Sequence, residues 1–367
     1  MYIHERNDWP KFQWDQARLA VLLAEVRHRQ GRRLGRMEGL GFRLRGEATL
    51  TTLTQDVMKT SEIEGEKLDP EQVRSSLARK LGMDVGSAIR VGRNVEGIVE
   101  VMLDATRNHN APLSKKRLFD WHAALFPTGR SGMQSIVVGG WRTASSGPMQ
   151  VVSGPLGREK VHYEAPSSDR LNKEMTGFIN WFNAVPETDL VVKSALAHFW
   201  FVTIHPFEDG NGRIARALGD LLLARAEQSA QRFYSLSAQI QQERNRYYDI
   251  LEKSQKGSLD VTPWIEWYLN CLQHAIVGSE QTLEAVLTKA RFWEAYAGQS
   301  FNDRQREVIN RLLDGFEGKL TSSKWAKLTK CSQDTALRDI SDLLERQILD
   351  KDEAGGRSTS YRLRLPK

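Results

Sequence analysis

The residues of this chain best suited to chemistry lie side by side, in His205-Pro206-Phe207-Glu208-Asp209-Gly210-Asn211-Gly212-Arg213-Ile214-Ala215-Arg216. Gly210 and Gly212 can take positive φ at little steric cost, so the Gly-Asn-Gly backbone can turn its N–H groups inward as an anion-binding nest. A helix beginning there adds the positive end of its dipole to the same spot. Arg213 and Arg216 are three residues apart and therefore neighbours on that helix. Cations at a helix N-terminus oppose the dipole, which points to a task other than stability. Asp209 beside such a nest suits Mg²⁺, commonly held by one or two carboxylates together with substrate phosphates. His205 has an ordinary pKa of about 6.5, which suits a general base. A tight helix–loop–helix turn accounts for any one of these residues alone, but the whole set points to a phosphate-handling site.

Elements that could position this loop are readable around it. Residues 190–204, LVVKSALAHFWFVTI, are too few to span a membrane and too apolar for a surface, which predicts a central buried helix ending at His205. A second apolar helix, ALGDLLLARAEQ, leaves the loop on its far side. Near the start, Trp9, Pro10, Phe12 and Trp14 read as packing that anchors the terminus. Leu19, Leu22, Leu23 and Val26 then repeat at helical spacing. Residues 51–110 suit further helices, and 111–127 predict one capped by Ser114, with His122 as a satisfied core histidine. The texture changes over 128–168, where Val151-Val152 and Val161-His162-Tyr163 flank Gly154-Pro155-Leu156-Gly157 and predict a short hairpin. Helix returns at 169–183, and a helical pair over 232–273 carries Tyr247-Tyr248. Past about 300, Leu328, Ala336, Leu337, Ile340, Leu343 and Leu344 fall at helical spacings around Cys331-Ser332, with Ser332 as an N-cap. A Gly355-Gly356-Arg357 turn precedes Tyr361, Leu363 and Leu365 alternating with arginines; helix, turn, helix and hairpin together describe a winged helix.

Composition excludes several classes. Hydrophobic residues at 40% and charged residues at 27% are an ordinary globular balance, against disorder and coiled coil. Two distant cysteines, Cys271 and Cys331, exclude a disulfide framework and a Cys-based zinc site. With no apolar run long enough for a membrane helix and no secretory segment at the start, the chain reads as cytoplasmic. The net charge of +6 is concentrated at the ends, with +4 over residues 1–50 and +3 over 301–367. A basic end can favour nucleic acid, but 46 acids make a solvated surface the simpler reading.

HPFEDGNGRIAR matches the Fic signature HxFx(D/E)GNGRxxR at every fixed position, so the chain resembles the Fic family. ERNDWPKFQWD is similar to an N-terminal domain that accompanies some Fic proteins, and the C-terminal module resembles their winged helix. The resemblance implies a mainly α fold: a helical N-terminal domain over 1–105, a Fic-type helical core with a β-hairpin flap over 106–285, and a winged helix over 300–367. It implies AMP transfer from ATP to a Ser, Thr or Tyr hydroxyl of a target protein. In that scheme His205 deprotonates the acceptor and Asp209 holds Mg²⁺. Gly210, Asn211 and Gly212 cradle phosphates, while Arg213 and Arg216 bind the β- and γ-phosphates. Phe207 packs under the loop. Val151, Val152, Ser153 and Gly154 belong to a flap that registers the target by strand addition. Tyr247 and Tyr248 wall the adenine pocket or pack in the core. The same site can run in reverse and remove AMP.

Thr60-Ser61-Glu62-Ile63-Glu64-Gly65 fits the family's inhibitory pattern (S/T)xxxE(G/N) at Thr60, Glu64 and Gly65. By resemblance Glu64 pairs with Arg216 and blocks productive seating of the γ-phosphate, within one chain. The competing reading is a capping box, Ser61-x-x-Glu64, at a helix N-terminus. Two other functions stay open beside AMP transfer: a different nucleotidyl or phosphoryl transfer at the same site, and a DNA-binding regulator working through the winged helix. For the latter, Lys324, Lys327 and Lys330 form a basic row, whereas Asp334, Asp339 and Asp342 oppose phosphate. A homodimer is a further partner option, and no membrane contact is expected.

Overall fold

The structure, a computed structural model, describes all residues except 84–88, 155–157, 314, 317, 353–358 and 366–367. The expected turns at Pro155-Leu156-Gly157 and Gly355-Gly356-Arg357 lie outside the described residues. The chain divides into two compact units, Met1–Ser279 and Glu280–Lys367.

In the first unit, α1 (Gln16–Glu38) and α2 (Phe42–Ile63) are followed by α3 (Pro70–Lys80), α4 (Arg93–Arg107) and α5 (Lys115–Leu125). Asp15 caps α1 and Ser114 caps α5, each accepting from a backbone N–H three residues on. The Gly- and Pro-rich stretch then forms two small antiparallel pairs, β1 (Arg130–Ser131) with β2 (Gln134–Ser135) and β3 (Gln150–Ser153) with β4 (Lys160–Glu164). Next come α6 (Leu171–Asn183), α7 (Leu190–Ile204), α8 (Asn211–Glu227), α9 (Leu236–Gln242), α10 (Arg244–Gln255) and the long α11 (Thr262–Ala295).

Helix α7 is the centre: every residue from Val191 to Ile204 is buried, as its apolar composition requires. It packs along α8, so the loop joining them is held between two buried helices. The N-terminal aromatics close one side of the core, with Trp9 against Trp200 and Phe12 against Phe199. A buried ionic cluster ties α2 to the signature helix. Arg232 Nη2 lies 2.5 Å from Asp220 of α8 and 3.5 Å from Asp56 of α2, and the Ser235 hydroxyl also donates to Asp56. One guanidinium faces two buried carboxyls there, and burial with the neighbouring Asp220 pushes Asp56 up to about 7.

The second unit takes the end of α11, then α12 (Asp303–Leu313), α13 (Ser322–Leu328), α14 (Gln333–Glu345) and the antiparallel pair β5 (Leu349–Lys351) and β6 (Tyr361–Leu363). Ser332 caps α14 as expected. Ala336, Ile340 and Leu343 are buried, whereas Leu337 and Leu365 are exposed. This unit begins near 280 rather than 300, because Phe292 of α11 is fully buried in its core.

Candidate active site

His205 caps α7 in the left-handed conformation, φ 51° and ψ 57°, a costly backbone for a residue with a Cβ. Arg142 holds it there. Its Nε donates to the His205 carbonyl at 2.8 Å, its backbone N–H to the Pro206 carbonyl at 2.9 Å, and its Nη2 to the Pro166 carbonyl at 2.5 Å. The His205 Nδ1 faces the Val202 carbonyl at 3.2 Å, a contact only an N–H can satisfy. That fixes the tautomer and leaves Nε2 with its lone pair. Burial lowers the His205 pKa to about 4, so the imidazole is neutral at pH 7.

Phe207 is fully buried and stacks on His122, ring centroids 4.1 Å apart. His122 is the satisfied core histidine expected: one nitrogen lies 3.2 Å from the Asp209 carbonyl, and the other accepts from the Gly139 N–H at 3.2 Å. Burial pushes it down to about 4. Asn211 differs from expectation. Its amide oxygen accepts from the Phe207 N–H at 3.0 Å and its amide nitrogen donates to the Phe207 carbonyl at 2.8 Å, so the side chain braces the loop instead of facing an anion. Gly210 has φ +81°, and a Cβ there would lie 2.9 Å from the Phe126 ring; no other residue fits.

The first turn of α8 leaves its N–H groups without intrahelical acceptors, which makes the expected anion cradle. Glu64 occupies it. A Cβ on Gly212 would lie 2.2 Å from Glu64 Oε1, which places that carboxylate directly against the cradle backbone. Arg216 donates from Nη2 to Glu64 Oε1 at 2.7 Å, and from Nε and Nη2 to the hydroxyl and carbonyl of Thr60 at 2.7 and 2.9 Å. Arg213 lies over the Phe126 ring and donates to Glu66 Oε2 at 3.1 Å. Nη1 of Arg216 and Nε of Arg213 are buried without a hydrogen-bond partner, spare donors suited to a polyanion.

The capping-box reading of Ser61 and Glu64 fails, because these residues end α2 instead of starting a helix. Glu66 N–H donates to the Ser61 carbonyl and Gly65 N–H to the Glu62 carbonyl, both at 3.0 Å, with Gly65 at φ +85°. This is a Schellman ending, and it explains why glycine follows Glu64: the position after the C-cap must be left-handed.

The Asp209 carboxylate accepts from the Gly210 N–H and the Ser131 hydroxyl and is 42% exposed. Among the described residues no three metal-ligating side chains cluster. A single accessible carboxylate beside an anion cradle fits an ion held mainly by substrate phosphates.

A cavity of about 470 Å³ opens on Glu64, His205 and Gly212. Tyr247 and Tyr248 line it from α10, and Val151, Val152 and Ser153 from β3. Tyr247 is otherwise a core residue, its hydroxyl 3.0 Å from His198 Nε2, whereas the Tyr248 hydroxyl and Arg244 Nε both reach the Ile63 carbonyl at the end of α2. Gly154, at φ +107°, ends β3 outside this lining. The hairpin is clasped to α10: Ser153 Oγ meets His162 Nε2 at 2.5 Å, and His162 Nδ1 meets Glu252 Oε2 at 2.6 Å.

Sequence reasoning missed Arg142, Glu66 and the His162–Glu252 clasp, whose partners lie 24 to 147 residues away in the chain. No local spacing signals such contacts. Gly65 directly after Glu64 was the available signal for the helix end.

Residues 112–223, which hold this loop and both arginines, match the Fic/DOC family. Those residues resemble a Fic domain. Residues 2–83 match a separate domain of unknown function, DUF4172. The protein adenylyltransferase Fic of Culex quinquefasciatus is 28% identical over 229 residues, 60% of this chain and 40% of the relative. That of Drosophila yakuba is 32% identical over 131 residues, 34% of this chain and 25% of the relative. The chain thus spans less than half the length of these curated relatives. A Fic family protein from Desulfovibrio desulfuricans G20 shares the fold with TM-score 0.54 at 23% identity, covering 97% of this chain and 98% of its own. A Fic domain containing signaling protein from Bacteroides thetaiotaomicron aligns with TM-score 0.51 at 18% identity, over 77% of this chain and all of its own. The mainly α fold with a hairpin beside the Fic loop is the one expected. No helix among the described residues is long and apolar enough to cross a membrane.

Proposed function

We propose that this chain is a protein adenylyltransferase that moves AMP from ATP to a hydroxyl side chain of a target protein, restrained by Glu64. The observation that carries this reading is the Glu64 carboxylate seated on the α8 cradle and bound to Arg216, a carboxylate standing where a phosphate would be held. In the reaction the acceptor oxygen forms a bond to the α-phosphorus, and the bond to pyrophosphate breaks. The acceptor's proton passes to Nε2 of His205, the nitrogen left free by the Val202 contact. Arg213 and Arg216 bind the outgoing phosphates, where charge builds as pyrophosphate leaves. Asp209 is the residue to hold Mg²⁺, which supplies charge neutralisation of the phosphates when bound. The β3–β4 hairpin serves as the flap, offering a strand edge to the target, and Tyr248 with Tyr247 bounds the base pocket. The second unit acts as a winged helix in choosing partners, and the enzyme works in the cytoplasm.

Incubating the Glu64→Gly variant with α-labelled and, separately, γ-labelled ATP tests the reading. Label on protein from the α position alone supports AMP transfer. Label from the γ position means phosphoryl transfer, and label from neither refutes transfer chemistry.

A further inference from the structure

Glu64 is one of two acids that the end of α2 delivers to the site. The Schellman ending reverses the chain at Gly65 and brings Glu66 back toward α8. Glu66 Oε2 accepts from Arg213 Nη1 at 3.1 Å, and its Oε1 accepts from Asn94 Nδ2 of α4 at 3.2 Å. The Arg213 side chain is 8% exposed and that of Glu66 38%. The acid is therefore at the rim and its partner inside. Asp209 lies 4.0 Å from the same guanidinium. Two guanidiniums are thus met by three carboxylates, an arrangement that disfavours a further polyanion.

We propose that Glu66 is a second internal phosphate mimic, occupying Arg213 as Glu64 occupies Arg216. A polyphosphate ligand must then displace two carboxylates carried by one strap, residues 60–66. This rests on the reading of the α8 cradle as a polyphosphate site. The two acids differ in strength. Glu64 is held by a buried arginine that also binds Thr60, whereas Glu66 sits in a rim pair, where such contacts are individually weak. Glu66 therefore acts as a modest, salt-sensitive restraint added to a strong one. Asn94 makes it directional by holding the other oxygen, so that Glu66 rests on Arg213 instead of sampling solvent.

The test is calorimetric titration of the full chain with ATP and Mg²⁺. Glu66→Gln keeps the shape and the Asn94 contact while removing the charge, and should tighten ATP binding about 3- to 5-fold. The gain should shrink as salt rises and vanish in an Arg213→Ala background. Asn94→Ala, which frees Glu66 to leave, should give part of the same gain. Unchanged or weaker binding in Glu66→Gln, or an equal gain in the Arg213→Ala background, overturns the proposal. If Glu64→Gly binds ATP while Glu66→Gln changes nothing, only the role of Glu66 falls. If no variant binds ATP, the polyphosphate reading of the site falls with it.

Discussion

Replacing Glu64 by glycine separates restraint from architecture. Arg216 is 2% exposed and makes three hydrogen bonds, two to Thr60 and one to Glu64. Removing the carboxylate leaves a buried guanidinium short of its counter-charge. Breaking a fully buried pair costs about 3–5 kcal/mol. Glu64 is 30% exposed, so solvent recovers part of that, and a loss of roughly 1–2 kcal/mol is expected. Glu64 lies at the end of α2, where a glycine adds little further helix penalty. ATP should restore the missing charge. The variant should therefore melt earlier than wild type without nucleotide and gain more on adding ATP, since a ligand bound only by the folded state stabilises it by mass action. Its transfer rate should rise by about 10²-fold, the scale on which an ångström of misalignment acts. The assay pairs melting curves with and without Mg²⁺ and ATP with incorporation of α-label. Glu64→Gly combined with Arg216→Ala should be slow again. A single variant that melts earlier, gains nothing from ATP and labels no faster would show that Glu64 only braces the fold.

His205→Ala should abolish transfer, by about 10²–10⁴-fold or more, while ATP binding persists; undiminished labelling would refute the assignment. Because burial holds His205 near 4, the acid limb of the Glu64→Gly rate should fall near pH 4 and not near 6.5, checked by a pH–rate profile. Arg142→Met keeps the stem and the backbone N–H on the Pro206 carbonyl but removes the guanidinium donors that hold the His205 and Pro166 carbonyls; the transfer rate should drop more than tenfold with ATP affinity little changed, as calorimetry would show. His198, fully buried and lowered to about 3 by burial, favours the folded state above the ordinary histidine pKa of 6.5, and this contribution is lost as pH falls toward 3. Between pH 7 and 5 the wild type should lose about 2 kcal/mol more than His198→Gln in chemical denaturation.

The loop from His205 to Arg216 was legible because its chemistry is written in consecutive residues, and the buried helix before it because an unbroken apolar run has few other uses. Where the Asn211 side chain points was not legible, because composition cannot say where a short amide will spend its bonds; Phe207 takes both ends. The acids of α14 were read as opposing phosphate, yet Arg304 grips Asp339 and Arg346 pairs with Asp342, so two of the three charges are already answered within the unit. Glu66 and Asn94 carried no signal in the sequence, because their partners arrive only on folding. Charge pairing across helices has no period, so sequence patterns cannot report it.

The ionic cluster of Asp56, Arg232 and Asp220 limits how the proposed restraint by Glu64 could be lifted. It joins the middle of α2 to the signature helix, and each of these side chains is at most 2% exposed. Drawing α2 away as a rigid rod would strand a cation and two carboxyls in apolar surroundings, a penalty of several kcal/mol. Fraying its final turn, from Thr60 to Gly65, breaks the contacts to Arg216, Arg244, Tyr248 and Gln241 and uncovers Ile63, but leaves the cluster whole. Arg244 and Tyr248 both reach the Ile63 carbonyl from α10, the helix that also anchors the hairpin through Glu252. If the hairpin receives a target as proposed, a pull on it reaches the same helix that holds the end of α2, so arrival of the acceptor and loosening of that final turn would share one mechanical linkage.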